Sequence, residues 1–307
     1  MNPYDWLVQP FVEFGFMRRA LAACLALAVG SAPLGALLVL RRMSLLGDAM
    51  AHALLPGAAI GFVIAGFSLW AMGAGALAAA LLVAALASAL SRHTRLREDA
   101  SFASFYLIAL ALGVLIMSVH ASPVDLMHVL FGSILAVDTP SLLLMAGVAS
   151  LTVLALAVLY RPLVADTLDP AFLRSVGGGN AWVQQAFIVL VVLNLVAGFQ
   201  ALGTLMAVGL MILPATAARL WARSLEGLLV MSAAIAAGCA WIGLLLSFHA
   251  DLPSGPAIVL LAGAVLIGSA LVGPHGALRA RPVAAAAPAG VLEPSNNPAV
   301  PGARGQP

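Results

Sequence analysis

The chain has 307 residues, 63% of them hydrophobic and 8% charged, whereas a soluble globular domain carries ~25% charged residues. Its net charge is +2 and every basic residue is arginine, which excludes a water-soluble enzyme and a basic face for nucleic acid. Without lysine there can be no Gly-x-x-x-x-Gly-Lys-Ser/Thr phosphate loop, so any ATP-driven step must draw its ATPase from another chain.

The chain opens with an amphipathic segment, residues 1–17, whose Tyr4, Trp6, Phe11, Phe14 and Phe16 suit a membrane–water interface. The following apolar run is long enough to span, so the segment is expected to be retained rather than cleaved. Nine apolar runs follow, at about 20–40, 48–66, 69–91, 102–120, 140–160, 181–199, 202–218, 226–247 and 256–273. The stretch 122–138 is shorter and carries two acids, which fits an interfacial or re-entrant helix. After residue 275 the composition turns to proline and alanine, and 276–307 is expected to be a disordered tail. The fold class is therefore all-α and integral to the membrane: a bundle of eight or nine transmembrane helices over 18–275, with short interfacial and coupling helices.

Arginine placement predicts orientation. With the N-terminus outside and the C-terminus in the cytoplasm, twelve of the fourteen arginines fall in inner segments, and only Arg18 and Arg19 lie outside. Those two can snorkel to headgroups beside the aromatic belt.

Chemistry concentrates between Arg41 and Gly57, RRMSLLGDAMAHALLPG. Asp48 and His52 are four residues apart and share one face of a helix. Titratable groups inside a bilayer are costly and usually mark an ion pathway. A carboxylate with an imidazole suits zinc or manganese. Ser44 is placed to cap the helix. Pro56 lacks an amide hydrogen and should leave the His52 carbonyl without its helical partner. The plainer alternative has Asp48 paired with Arg41 or Arg42 and His52 bonded to a neighbouring helix. Two donors do not complete a zinc site, and a two-fold dimer about this helix would supply two more.

A second group, His120, Asp125, His128, Asp138, His249 and Asp251, falls on the expected outer side and could form a cation-attracting vestibule. Solvated loop residues are the simpler reading. Pro-Ser-Gly-Pro at 253–256 opens the last span as a turn of fixed entry angle. On the expected inner side, Pro214 should break the seventh span, leaving a short amphipathic helix with Arg219, Arg223 and Glu226 that could dock into a partner's groove. The glycine-rich loop 169–179 could join the same surface but has no preceding strand and no nucleotide fingerprint. Cys24 and Cys239 sit in apolar runs and are expected to be buried small hydrophobes. No Gly-x-Ser-x-Gly elbow and no His-Glu-x-x-His helix occurs.

Three segments together carry a resemblance: RRMSLLGDAMAHALLPG (41–57), GTLMAVGLMILPATAARL (203–220) and DLPSGPAIVL (251–260). In this order they resemble the permease subunits of bacterial ABC importers for zinc and manganese, over about residues 5–275. The resemblance implies a homodimeric permease in the cytoplasmic membrane that works by alternating access. Its implied partners are two copies of a cytoplasmic ATPase and an extracytoplasmic metal-binding protein. It assigns ion contact to Asp48 and His52, and ATPase coupling to the segment with Pro214, Ala215, Arg219 and Arg223. No permanently bound cofactor is implied, only a transported divalent ion. The Arg-Arg-Met-Ser start leans to zinc, while Pro-Gly after the histidine resembles manganese members. The competing expectation is an ion- or proton-coupled secondary transporter, although no internal repeat of that class is visible. A membrane scaffold or an unknown intramembrane enzyme is the third.

Overall fold

The computed structural model of the chain describes residues 6–66, 68–94, 96, 98–120, 134, 137–168 and 181–274. The expected re-entrant segment (apart from 134, 137 and 138), the loop 169–179 and the tail 276–307 lie outside the described residues. Within them the regular structure is helical, without strands. The elements are α1 (Gln9–Glu13), α2 (Gly15–Leu40), α3 (Ser44–Ala53), α4 (Leu55–Ala65), α5 (Leu69–His93) and α6 (Glu98–His120), then α7 (Thr139–Leu168), α8 (Ala181–Leu202), α9 (Thr204–Arg219), α10 (Leu225–Ala250) and α11 (Ser254–Val272). Hydrocarbon offers no partner for backbone groups, so apolar runs of this length satisfy them internally as helices. Among the described residues, eight stretches are long and apolar enough to cross a membrane, with α3 and α4 together forming one of them.

The predicted run 202–218 is helical but short. α9 has 16 residues, about 24 Å of rise against the ~30 Å of a bilayer core. It need not match that thickness because it is enclosed: Met206, Leu210, Met211 and Ala215 are all buried, and α2, α8, α10 and α11 pack around it. α2 and α8 bridge two hydrophobic clusters, one built on α3–α6 and the other on α9–α11.

Small residues allow the closest helix approaches, as expected where lipid offers no hydrophobic drive for association. A Cβ on Gly57 of α4 would fall on the Gly75 carbonyl of α5, and one on Gly35 of α2 would fall on the Met211 carbonyl of α9. Polar bonds add specificity: Asn194 Nδ2 of α8 donates to Thr152 Oγ1 of α7 at 2.7 Å and to the Leu190 carbonyl at 2.9 Å. Both cysteines are buried free thiols.

The helix ends sort into two groups. At one end, Arg219 Nη1 of α9 donates to the Val39 carbonyl of α2, and Arg41 meets Asp166 of α7. At the other, Trp6 meets His249 of α10 and Gln200 Nε2 of α8 donates to the Leu69 carbonyl of α5.

Pro214 does not break its helix. It lies inside α9, buried, and the helix continues to Arg219, as Pro33 and Pro162 do inside α2 and α7. Packing on neighbouring helices offsets the one missing hydrogen bond. The separate amphipathic helix expected after it is instead a tight turn, 220–224, after which Ser224 Oγ caps α10 by accepting from Gly227 N at 3.2 Å.

Candidate metal site

α2 ends in a Schellman turn. Arg42 N donates to Val39 O at 3.2 Å and Met43 N to Leu38 O at 2.9 Å, with Arg42 left-handed at φ 58°. This turn sets where α3 begins. Met43, not Ser44, occupies the capping position, and Ser44 is the first helical residue. Ser44 lines a groove instead.

Hydrogen bonding is interrupted at Leu54, between α3 and α4. Leu54 keeps right-handed helical dihedrals, so the direction of the chain persists. The His52 carbonyl is not left bare as expected from Pro56, because the Leu54 N–H turns to it. Regular bonding resumes with Ala58 N to Leu54 O at 3.0 Å. The interruption is enclosed by Gly113 of α6, where a Cβ would meet Leu55 and Pro56.

Asp48 and His52 lie on one face of α3, about 6 and 12 Å along the axis from Ser44. His52 Nε2 is 3.6 Å from Asp48 Oδ1. The two side chains are 32% and 55% exposed for His52 and Asp48 respectively, because both open into a groove of about 530 Å3 between α3 and α9 that also includes Ser44, Thr204 and Val259. The remaining wall is aliphatic, so the four polar groups mark one track across an apolar surface.

The plainer alternative for Asp48 is not what is seen. Arg41 Nη1 pairs with Asp166 at 3.0 Å, its Nε donates to Thr167 Oγ1 at 3.1 Å, and its guanidinium lies 4.8 Å over the Phe187 ring. Among the described residues, the ion pairs within 4 Å are Arg41–Asp166 and His52–Asp48. No group of three or more His, Cys, Asp or Glu able to hold a metal occurs among them either. One copy of the chain thus presents two donors, a carboxylate oxygen and an imidazole nitrogen, on an open face.

The outer candidates have local partners. His249 stacks on Trp6 with centroids 4.3 Å apart and planes within 4°, and its Nε2 is 3.2 Å from the Trp6 carbonyl. Asp251 ends α10 in the left-handed region, φ 50°, which aspartate tolerates better than most residues. Asp138 precedes α7 and accepts from Ser141 N at 3.0 Å. The Ser141 side chain, with that backbone bond and the positive charge of Arg19 adding to it, holds its carboxyl below the usual range. Asp125, His128 and the side chain of His120 lie outside the described residues. Of the inner candidates, Pro214 and Ala215 are buried, Arg219 is exposed but bonded to Val39 O, and Arg223 is exposed, as are Trp221 and Glu226.

Sequence reasoning missed Tyr106 of α6. Its ring centroid lies 6.1 Å from that of His52, and it lines a second cavity of about 100 Å3 that also touches Asp48. Nothing in one sequence pairs α6 with α3.

Residues 13–273 match the model of the ABC 3 transport family. The chain is 30% identical over 272 residues to the manganese import system permease protein ScaB of Streptococcus gordonii, covering 87% of this chain and 96% of that protein. It is 30% identical over 263 residues to the manganese transport system membrane protein MntC of Halalkalibacterium halodurans, covering 85% and 89%. Among solved structures it is similar to PsaBC from Streptococcus pneumoniae in complex with Fab, with a TM-score of 0.78 and 28% identity over 88% of this chain and 96% of that one.

Proposed function

The chain belongs to the ABC 3 transport family, and we propose that it is the membrane-spanning permease of an importer that carries a divalent transition metal across the cytoplasmic membrane. Manganese is placed first and zinc second. The lean to zinc drawn from the Arg-Arg-Met-Ser start yields to relatives named for manganese. A hard carboxylate oxygen beside one imidazole also suits manganese, while a soft thiolate set would not.

The observation that carries this reading is the pairing of Asp48 with His52 in the groove between α3 and α9, with Arg41 engaged elsewhere. A two-fold pairing of permeases across that open face would bring Asp48 and His52 from both copies together, making four donors around one ion. The ion would be accepted from an extracytoplasmic metal-binding protein, held between the two α3 helices and released inward as the copies tilt.

ATP hydrolysis falls to two copies of a separate cytoplasmic ATPase, since a chain without lysine cannot form the phosphate loop. Its contact surface is the arginine-rich end, which faces the cytoplasm by the positive-inside rule and leaves the N-terminus outside. There Arg223 and Trp221 are exposed for contact, while Pro214, Ala215 and Arg219 shape the end of α9. His120, Asp125, His128, His249 and Asp251 would line the outer approach.

Uptake of radioactive manganese, in cells expressing this chain with its ATPase and binding protein, tests the reading. Asp48→Asn and His52→Ala should abolish uptake while the complex still assembles. Normal uptake in both variants would overturn it. Uptake persisting on a proton gradient without ATP would point to a secondary transporter.

A further inference from the structure

We propose that Tyr106 is a positioning residue for the imidazole of His52: its ring, rather than a hydrogen bond, holds Nε2 toward Asp48. The proposal rests on the reading of Asp48 and His52 as the cation donors. A histidine that binds a metal through one nitrogen is ordinarily held by a hydrogen bond at the other, which fixes the ring's orientation. His52 Nδ1 is buried and has no hydrogen-bond partner among the described residues, so none of them supplies that device.

What His52 has instead is an aromatic neighbour. The Tyr106 and His52 planes are 26° apart with centroids at 6.1 Å, within the ~4.5–7 Å range of paired rings. The imidazole χ2 torsion is broad and is set by surroundings more than by its own rotamer wells. A ring lying alongside restricts that torsion, and so keeps the free Nε2 at 3.6 Å from the carboxylate. The support comes from a well-packed element: α6 lies along both α3 and α4, and Phe102, one turn before Tyr106, joins it and Asp48 around the smaller cavity. Tyr106 thus stands near both Asp48 and His52. The phenol hydroxyl has no part in this, so phenylalanine should serve as well as tyrosine.

The test titrates Mn2+ into the permease purified with its ATPase, following the electron paramagnetic resonance signal of the free ion, with manganese uptake measured per assembled complex. Tyr106→Phe should bind Mn2+ as the parent chain does. Tyr106→Leu and Tyr106→Met should bind roughly threefold to tenfold more weakly, the range expected for loss of one aromatic pair, with uptake at saturating Mn2+ and ATPase rate retained. A packing defect alone would lower the amount of complex or its maximal rate and leave the affinity unmoved. Parent-like affinity in the Leu and Met variants, or equal weakening in the Phe variant, would overturn the proposal. If Asp48→Asn binds and transports Mn2+ normally, the underlying reading fails instead, whatever Tyr106 does.

Discussion

Arg41 is paired with Asp166, 3.0 Å away on α7 and 125 residues later in the chain, and not with Asp48 seven residues on. The Arg41 side chain is 9% exposed, and its guanidinium is also bonded to Thr167 and stacked over Phe187. This pairing fastens the turn before α3 to the end of α7 and leaves the Asp48 carboxylate available to the groove.

Removing one partner of a buried ion pair strands the other. Asp166→Ala should cost about 3 kcal/mol, the low end for buried pairs because Asp166 is itself 27% exposed. The Arg41→Met/Asp166→Ala double variant should recover part of that loss. Thermal unfolding of the purified permease reads both, and a double variant no better than the single one would contradict the pairing.

Arg42 holds a left-handed conformation, φ 58°, at the position where glycine is usual. Arg42→Gly relieves about 1–2 kcal/mol of steric cost and adds about 0.4–1 kcal/mol of unfolded-chain entropy. The net expectation is an unchanged or slightly raised melting temperature. Arg42→Val, β-branched, should lower it.

Gly57 and Gly75 approach backbone to backbone between α4 and α5, so neither side can yield by rotating a side chain. Gly57→Ala should destabilise by about 1–3 kcal/mol, as overpacking does. Gly147→Ala, where a Cβ meets nothing within 4 Å, is the matched control and should leave the melting temperature within a degree or two of the parent or raise it, since alanine favours helix.

Asp138 caps α7 through Ser141 N, and its carboxyl titrates lower in the folded chain than in the unfolded one. The cap therefore adds stability above the unfolded carboxylate range, near ~3.9, and that contribution is lost as pH falls through the lower folded value. Asp138→Ala should cost about 1 kcal/mol at neutral pH and progressively less in acid. A deficit that stays constant with pH would argue against the charged cap.

Much of this architecture was legible from one-dimensional pattern. The apolar runs marked the spans because a helix must cover ~30 Å of hydrocarbon, and the three anchor segments pointed to the right family. Local detail was less legible. Pro214 was expected to end a helix, yet neighbouring helices hold α9 straight through it. His249 and Asp251, read as vestibule candidates, also have local roles as a stacking partner and a helix terminus.

By itself the sequence determined that the chain is built for a bilayer, that these 307 residues hold no lysine-bearing phosphate loop, and that Asp48 and His52 share a helical face. Those follow from hydropathy, from the missing lysine and from a period of 3.6 residues. Only the tertiary structure decided which arginine takes which acid, that the face bearing Asp48 and His52 opens toward α9, and that Tyr106 lies alongside His52. Each of these joins residues far apart in the chain, and such contacts depend on how helices cross, which spacing along one helix does not encode.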